Sequence, residues 1–421
     1  MMCRRTSSAL RRRIPQLVLQ QQLRWLTLHE YQCHELLRQY NVPVWPSGVA
    51  ATPTEAESVI DRLGGEAVLK SQVSRAGRAD GLFSSGLRGG IQSVGNPEQG
   101  RDISSKMIGH KLKTEDTFDE GVIVDKLHIS RPVRATEQWY LSLSVDREHY
   151  TPCITVSKCG GVSLSSIARD RPETLFQIHF KISDGISADL MSQIAAHLRL
   201  SSVEATNMEA ILNGMHQIFV QKDATHLEIN PLARLPDESL ACVSANFTFD
   251  DAAAKRQPEL FALRDKAQAV PEEIEAEKYG LVYVKMDGNI GNVVNGAGLA
   301  MATNDAIGLY GGKSANFLDA GGQATKETMV RAFDIVLRDK RVNTVLVNVY
   351  GGITNCAMIA ESIIGAAAEL GPLRVPLVVR LQGTNSAQGL KMLEEANLGL
   401  HVEADFGAAA EKAVQLSGGC S

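Results

Sequence analysis

Four places in this chain carry residue types whose spacing suits chemistry on anions and metals. In Val293-Val294-Asn295-Gly296-Ala297-Gly298 an apolar strand runs into a helix through two glycines. In Val349 to Asn355 a second strand ends in Gly351 and Gly352, followed by Ile353, Thr354 and Asn355. Backbone N–H groups at a helix start are unpaired, and Thr354 or Asn355 is a residue able to cap such a helix. Both junctions are neutral, so the ligand they favour is a carboxylate or phosphoryl group. At one turn, glycines are explained by tight packing alone; two turns of the same kind shift the reading toward a site. A dinucleotide alternative uses Gly296 and Gly298, with Asp319 roughly 20 residues on. Against it stands Met301, at a position where helix packing wants Gly or Ala.

The other two places lie in the first half. Lys70 ends an apolar strand and precedes a glycine-studded stretch, Gly77 to Gly90, that contains Arg78 and reads as a mobile loop, with a plain surface turn region as the alternative. A lysine so placed suits nucleotide phosphates, although a lone strand-end lysine is more often simply solvated. Glu228 and Asn230 are two apart on a strand and so share a face. The partner strand offers Cys242, Ser244, Asn246 and Thr248 on one face, none of them acidic. Mg²⁺ takes oxygen ligands, usually one or two carboxylates plus phosphate oxygens, so this is half a metal site.

These residues need elements to position them. Leu28–Tyr40 has a helical stripe; 64–70, 122–147 and 152–162 read as strands, and 188–198 and 204–219 as helices. Segments 225–232 and 240–249 form a hairpin around Pro236-Asp237. Lys255–Lys278 is charged, glycine-free and helical in composition, which makes it the connection between two halves. Beyond it, strands at 281–286, 289–295, 344–350 and 375–381 alternate with helices at 298–309, 325–338, 355–370, 387–396 and 406–415. That alternation predicts a doubly wound parallel sheet, whose ligands bind outside the carboxyl ends of the strands.

The 421 residues, 44% apolar and 22% charged, exclude disordered, collagen-like and small disulfide-stapled chains, and no 18-residue apolar run offers a membrane span. Six arginines (Arg4, Arg5, Arg11, Arg12, Arg13, Arg24) precede the first acid, Glu30, and removing them deepens the net charge from -5 to -11. The acid-free leader reads as a mitochondrial transit peptide, cut near Arg24 to Thr27, and the acidic remainder has no broad basic face for nucleic acid. Seven scattered cysteines without a C-x-x-C pair indicate neither zinc knuckle nor disulfide framework.

The runs Asn295-Gly-Ala-Gly-Leu-Ala-Met-Ala-Thr303, Ala315-Asn-Phe-Leu-Asp-Ala-Gly-Gly322, Gly351-Gly-Ile353 and Val379-Arg-Leu-Gln-Gly-Thr-Asn385 resemble the β subunit of succinyl-CoA synthetase (succinate–CoA ligase). Leu28-His-Glu-Tyr-Gln32 and Leu227-Glu-Ile-Asn-Pro-Leu232 extend the likeness over nearly everything after the leader. The resemblance implies an α/β chain with a transit peptide at 1–26, an ATP-grasp domain at 27–265 and a flavodoxin-like CoA-ligase domain at 266–421. It implies ATP/ADP or GTP/GDP with Mg²⁺ in the grasp, and an obligate α subunit in the mitochondrial matrix that carries CoA and a transient phosphohistidine. Carried over position by position, Lys70, Gly77 and Arg78 hold nucleotide, Asn230 and Ser244 occupy the magnesium positions, and Glu228 lies near the phosphohistidine. Asn295, Gly352, Ile353 and Thr354 match the succinate and phosphate site.

Departures from the family pattern gather in the first domain. Gly77-Arg78-Ala79-Asp80 stands where the family reads Gly-Arg-Gly-Lys, Ser130-Arg131 at its adenine-hinge glutamate, and Ser244 at its magnesium aspartate. Gly160-Gly161-Val162-Ser163-Leu164-Ser165 lacks a final acid, and Gln138 takes a glutamate position that Glu137 would fill after a one-residue shift. In the second domain Ser314 replaces Pro and Gln382 replaces Glu. A rival expectation follows: a relative that docks on an α subunit but turns over nucleotide poorly or not at all.

Overall fold

The computed structural model describes residues 25–74, 77–114, 121–268, 270–322, 325–352, 354–370 and 374–418. The chain divides after Gln268 into two compact units. The leader lies outside the described residues up to residue 24, but Trp25–Thr27 is a strand paired with Ala245–Asp250, and Leu26 is buried. Trp25 and Leu26, which the expected boundary places in the leader, are thus part of the sheet.

In the first unit an antiparallel sheet runs in the order Trp25–Thr27, Ala245–Asp250, Ala224–Arg234, Glu137–Asp146, Thr151–Ser157, Phe176–His179, with Leu240–Cys242 also paired to Ala224–Arg234. Alternation decides its faces. Trp139, Leu141, Leu143, Leu227, Ile229, Phe247 and Phe249 enter a core covered by the helices Ala188–Leu198 and Ser202–Gln221. Their even-numbered neighbours, Ser142, Glu228 and Asn246 among them, therefore line the opposite face. A smaller antiparallel sheet, Ser47–Ala50, Leu127–Ser130, Ala67–Ser71 and Ile91–Val94, is covered by Pro53–Arg62 and Pro97–Met107 through Ile60, Met107, Leu69 and Ile129.

Three expectations change here. The stretch 77–90 is organised by an Arg78–Asp80 3₁₀ turn and a short strand Leu82–Phe83, and Gly90 N donates to Arg78 O at 2.7 Å. Lys255–Lys278 forms no continuous helix. Pro258 and Pro271 restart the chain as the separate helices Pro258–Phe261 and Pro271–Lys278, since proline is tolerated in a first turn but not inside a helix. In the hairpin, the second strand breaks at Val243–Ser244, opposite a register shift between Ile229 and Leu232. The break moves the phase by one residue, so Cys242 enters the core and does not share the face of Asn246.

The second unit has a six-stranded sheet in the order Val282–Lys285, Asn316–Asp319, Ile290–Val294, Thr344–Gly351, Leu377–Gly383, His401–Val402. Ile307, Ala410 and Val414 pack on one face, against Leu346 and Val378; Met329, Phe333, Ile359 and Ile363 pack on the other, against Val293, Val347 and Val379. This is the doubly wound arrangement, with one departure: the edge strand Val282–Lys285 runs antiparallel. Sequence reading overlooked the strand Asn316–Asp319 because it is short and begins with an asparagine. That side chain is fully buried, donating to Asn292 O and accepting from Asn292 N, both at 2.9 Å.

Candidate functional site

In the first unit, Lys70 and Arg78 converge on one carboxylate. Glu30, at the start of helix Glu30–Gln39, is 5% exposed. Its Oε1 accepts from Lys70 Nζ at 2.6 Å, its Oε2 accepts from Arg78 Nη2, and His128 Nδ1 lies 3.4 Å from Oε1. Burial by itself pushes the Glu30 pKa up; Arg78 and Lys70, helped by His128, outweigh it and hold the group well below the usual carboxylate range. Gly77, at φ 78°, turns the chain into the Arg78 segment, while Arg78 Nη1 donates to Ser71 O at 3.0 Å. Asp80 is exposed at the end of the same turn. Glu30 belongs to the Leu28-His-Glu-Tyr-Gln32 run, yet residue reasoning missed its role because the partners are 40 and 48 residues away.

On the polar face of the large sheet, Glu228 Oε2 accepts from Tyr140 Oη at 3.4 Å and lies 3.3 Å from His226 Nε2. Burial, and then the Glu228 carboxylate, push the Tyr140 hydroxyl pKa up. Asn230 is tied to the glycine loop. Its Oδ1 accepts from Gly161 N at 2.7 Å, and its Nδ2 donates to Val162 O at 2.9 Å and to Glu228 Oε1 at 3.3 Å. Ser244 is brought beside Asn230 by the bond from Asn230 N to Ser244 O at 3.0 Å. The glycine loop needs its glycine: a Cβ on Gly160 would lie 2.3 Å from the carbonyl oxygen of Trp139. An adjoining cavity of about 490 Å³ is lined by Gln138, Lys158, Cys159, Gly160, Val162 and Arg171 among others. Glu137 does not replace Gln138 here. It alternates to the other face, where Trp139 Nε1 donates to it at 2.9 Å.

In the second unit the two junctions meet, and a third joins them. Asn295, 8% exposed, donates through Nδ2 to Tyr350 O at 2.9 Å and Thr354 Oγ1 at 3.1 Å, and accepts from Tyr350 N at 2.9 Å. Thr354 Oγ1 in turn donates to Gly322 O at 2.9 Å. Asp319 is a brace for these turns: its Oδ1 accepts from Gly296 N at 2.6 Å and Gly321 N at 2.7 Å. Gly296, at φ 99°, allows that approach. Gly352 O accepts from Thr384 Oγ1 at 3.2 Å, while Ile353 lies outside the described residues. Three strand ends are thus fixed around the start of helix Ala297–Leu309, at the carboxyl edge where open α/β sheets bind ligands.

An antiparallel grasp-type unit followed by a doubly wound unit with glycine junctions defines the class of ATP-grasp CoA ligases. Family models agree: an ATP-grasp domain matches residues 27–234 and a CoA-ligase domain residues 293–414. This chain is 39% identical to the mitochondrial succinate–CoA ligase [ADP-forming] subunit beta of Neurospora crassa, covering 95% of this chain and 90% of that one. It is 40% identical to the ADP-forming protein of Solanum lycopersicum (94% and 95% covered) and to the GDP-forming protein of Mus musculus (93% and 90%). The chain belongs to the succinate–CoA ligase β-subunit family. In fold it is also similar to the ATP citrate lyase of Methanothrix soehngenii, at TM-score 0.70 and 18% identity over 93% of this chain and all of that one.

Proposed function

We propose that this chain serves as the β subunit of a mitochondrial succinate–CoA ligase. The complex interconverts succinate, CoA and a nucleoside triphosphate with succinyl-CoA, nucleoside diphosphate and phosphate. The observation that carries the reading is near-full-length agreement with relatives that bear this name. Lys70, Gly77 and Arg78 serve the nucleotide phosphates, and Glu228 faces the phosphohistidine of the α subunit, which also carries CoA. Succinate and phosphate lie against the junctions of Asn295, Gly352, Ile353 and Thr354. Because the side chains of Asn295 and Thr354 spend their hydrogen bonds on the frame, backbone N–H groups are the donors left for the anion. The arginine-rich leader directs import to the matrix, with cleavage before Trp25.

Magnesium fits this chain poorly. Of Glu228, Asn230 and Ser244 only Glu228 is a carboxylate, and Asn230 Oδ1 is already engaged by Gly161 N. That observation favours a second reading, a β-type subunit that docks on its partner but turns over nucleotide weakly. Reconstitution with the α subunit and labelled ATP or GTP separates them. Phosphorylated α that disappears on adding succinate and CoA supports the first, as does inactivity of either chain alone; an assembled complex that never labels α supports the second. Calorimetry with MgADP and MgGDP on wild type, Asp80→Lys, Ser244→Asp and the double variant then locates the defect. The double variant is expected to bind tightest.

A further inference from the structure

The ligase chemistry leaves one cluster on the large sheet unused. Asp146 ends strand Glu137–Asp146, His149 sits in the turn that follows, and His179 ends strand Phe176–His179. Register explains their meeting: Ser144 stands opposite Cys153 and Cys153 opposite His179, while Asp146, two residues past Ser144, shares that face. Asp146 Oδ2 lies 2.9 Å from His149 Nδ1 and 2.7 Å from His179 Nε2, and the two imidazole rings are 4.6 Å apart. The other oxygen, Oδ1, accepts from Glu148 N at 2.8 Å and His149 N at 3.3 Å, so the turn's backbone aims Oδ2 at the imidazoles. All three donor atoms lie within 4.8 Å of one another.

Two imidazole nitrogens and one carboxylate oxygen suit zinc and its first-row neighbours; Mg²⁺ and Ca²⁺ prefer all-oxygen shells. Metal–donor bonds of about 2.0–2.2 Å in a tetrahedron place neighbouring donors about 3.3–3.5 Å apart. The two Asp146–imidazole separations need to widen by roughly half an ångström on that geometry, with the two imidazole nitrogens, now within 4.8 Å of each other, coming to the same spacing. Rotation of the histidines supplies this, since their side chains are 59% and 35% exposed, and solvent fills the fourth position. We propose that Asp146, His149 and His179 form a binding site for a divalent first-row transition metal, Zn²⁺ fitting best, which staples the turn after Asp146 to strand Phe176–His179. It is separate from the hairpin site: Glu228 stands opposite Ser142, four residues before Asp146, or about 13 Å along the strand.

The test is calorimetric titration of the chelator-treated full chain with ZnCl₂ and, separately, MgCl₂. Wild type is compared with His149→Ala, His179→Ala, Asp146→Asn and the control His216→Ala, whose ring instead contacts Ile182 O. One zinc per chain is expected, weakened roughly tenfold or more in the three cluster variants but not in the control, with no saturable magnesium binding there. His149→Ala changes only an exposed turn residue, so its result does not depend on the strands refolding. Absence of zinc binding, or equal binding in wild type and His149→Ala, overturns the proposal.

Discussion

Glu30, buried between Lys70 and Arg78, neutralises both cations. Removing one partner of a buried ion pair strands the other charge at a cost of about 3–5 kcal/mol. Glu30→Gln is therefore expected to lower the stability of the first unit by that order in urea unfolding. Added nucleotide should restore part of the loss, because its phosphates pair the freed Lys70 and Arg78. At the other end, Asn295→Ala removes three hydrogen bonds and leaves the Tyr350 N–H and C=O unpaired, at about 1–3 kcal/mol for each buried group. In an active complex the succinate KM should rise roughly tenfold, as one such loss implies, with the nucleotide KM unchanged. Equal loss of both would show that Asn295 supports the fold alone.

Among the elements, the hairpin and its neighbouring glycine loop are interdependent. Pro231 has no N–H to give the ladder, its strand shifts register against Glu137–Asp146 beside it, and Asn230 is held by the loop at Gly161 and Val162. A Cβ at Gly160 pushes on the backbone of Trp139, which cannot give way as a flexible side chain does. Gly160→Ala is thus expected to cost about 1–3 kcal/mol by overpacking and to change Mg-nucleotide affinity by releasing Asn230 Oδ1 from Gly161 N. Thermal unfolding and calorimetry check the two effects. A variant with normal stability and normal affinity would mean that the loop does not position Asn230.

Over the whole molecule, the buried polar layer of the first unit makes its stability depend on pH. Burial, assisted by the neighbouring His128, pushes His34 down to about 3. An unfolded chain binds that proton near pH 6.5, whereas the folded chain refuses it until about pH 3. Stability is therefore complete above about 6.5 and falls by about 1.4 kcal/mol per unit as the pH drops through that window. Burial lowers the His128 pKa as well, adding to the slope, and the Glu30 contribution begins to go below the ordinary carboxylate value of 4.5 and is lost progressively as the pH falls toward its depressed pKa. Urea unfolding at pH 7, 6 and 5 should show this decline, and His34→Phe should flatten it.

Most of the alternating strands and helices of the second unit, though not the short strands Asn316–Asp319 and His401–Val402, were legible in the sequence, as were the glycine junctions and the family-bearing runs, because periodicity and turn chemistry are local properties. So was the hairpin pair Glu228 and Asn230, two residues apart on one strand. What tertiary structure alone decided is which groups pair over long separations. Glu30 with Lys70 and Arg78, Asp319 with Gly296, and Asp146 with His179 are matched by sheet register and by helix placement, which no local pattern encodes. The phase change at Val243–Ser244 and the antiparallel edge strand Val282–Lys285 belong to the same kind. A strand's face and direction depend on the neighbour with which its backbone bonds, and that neighbour is chosen only when the whole sheet assembles.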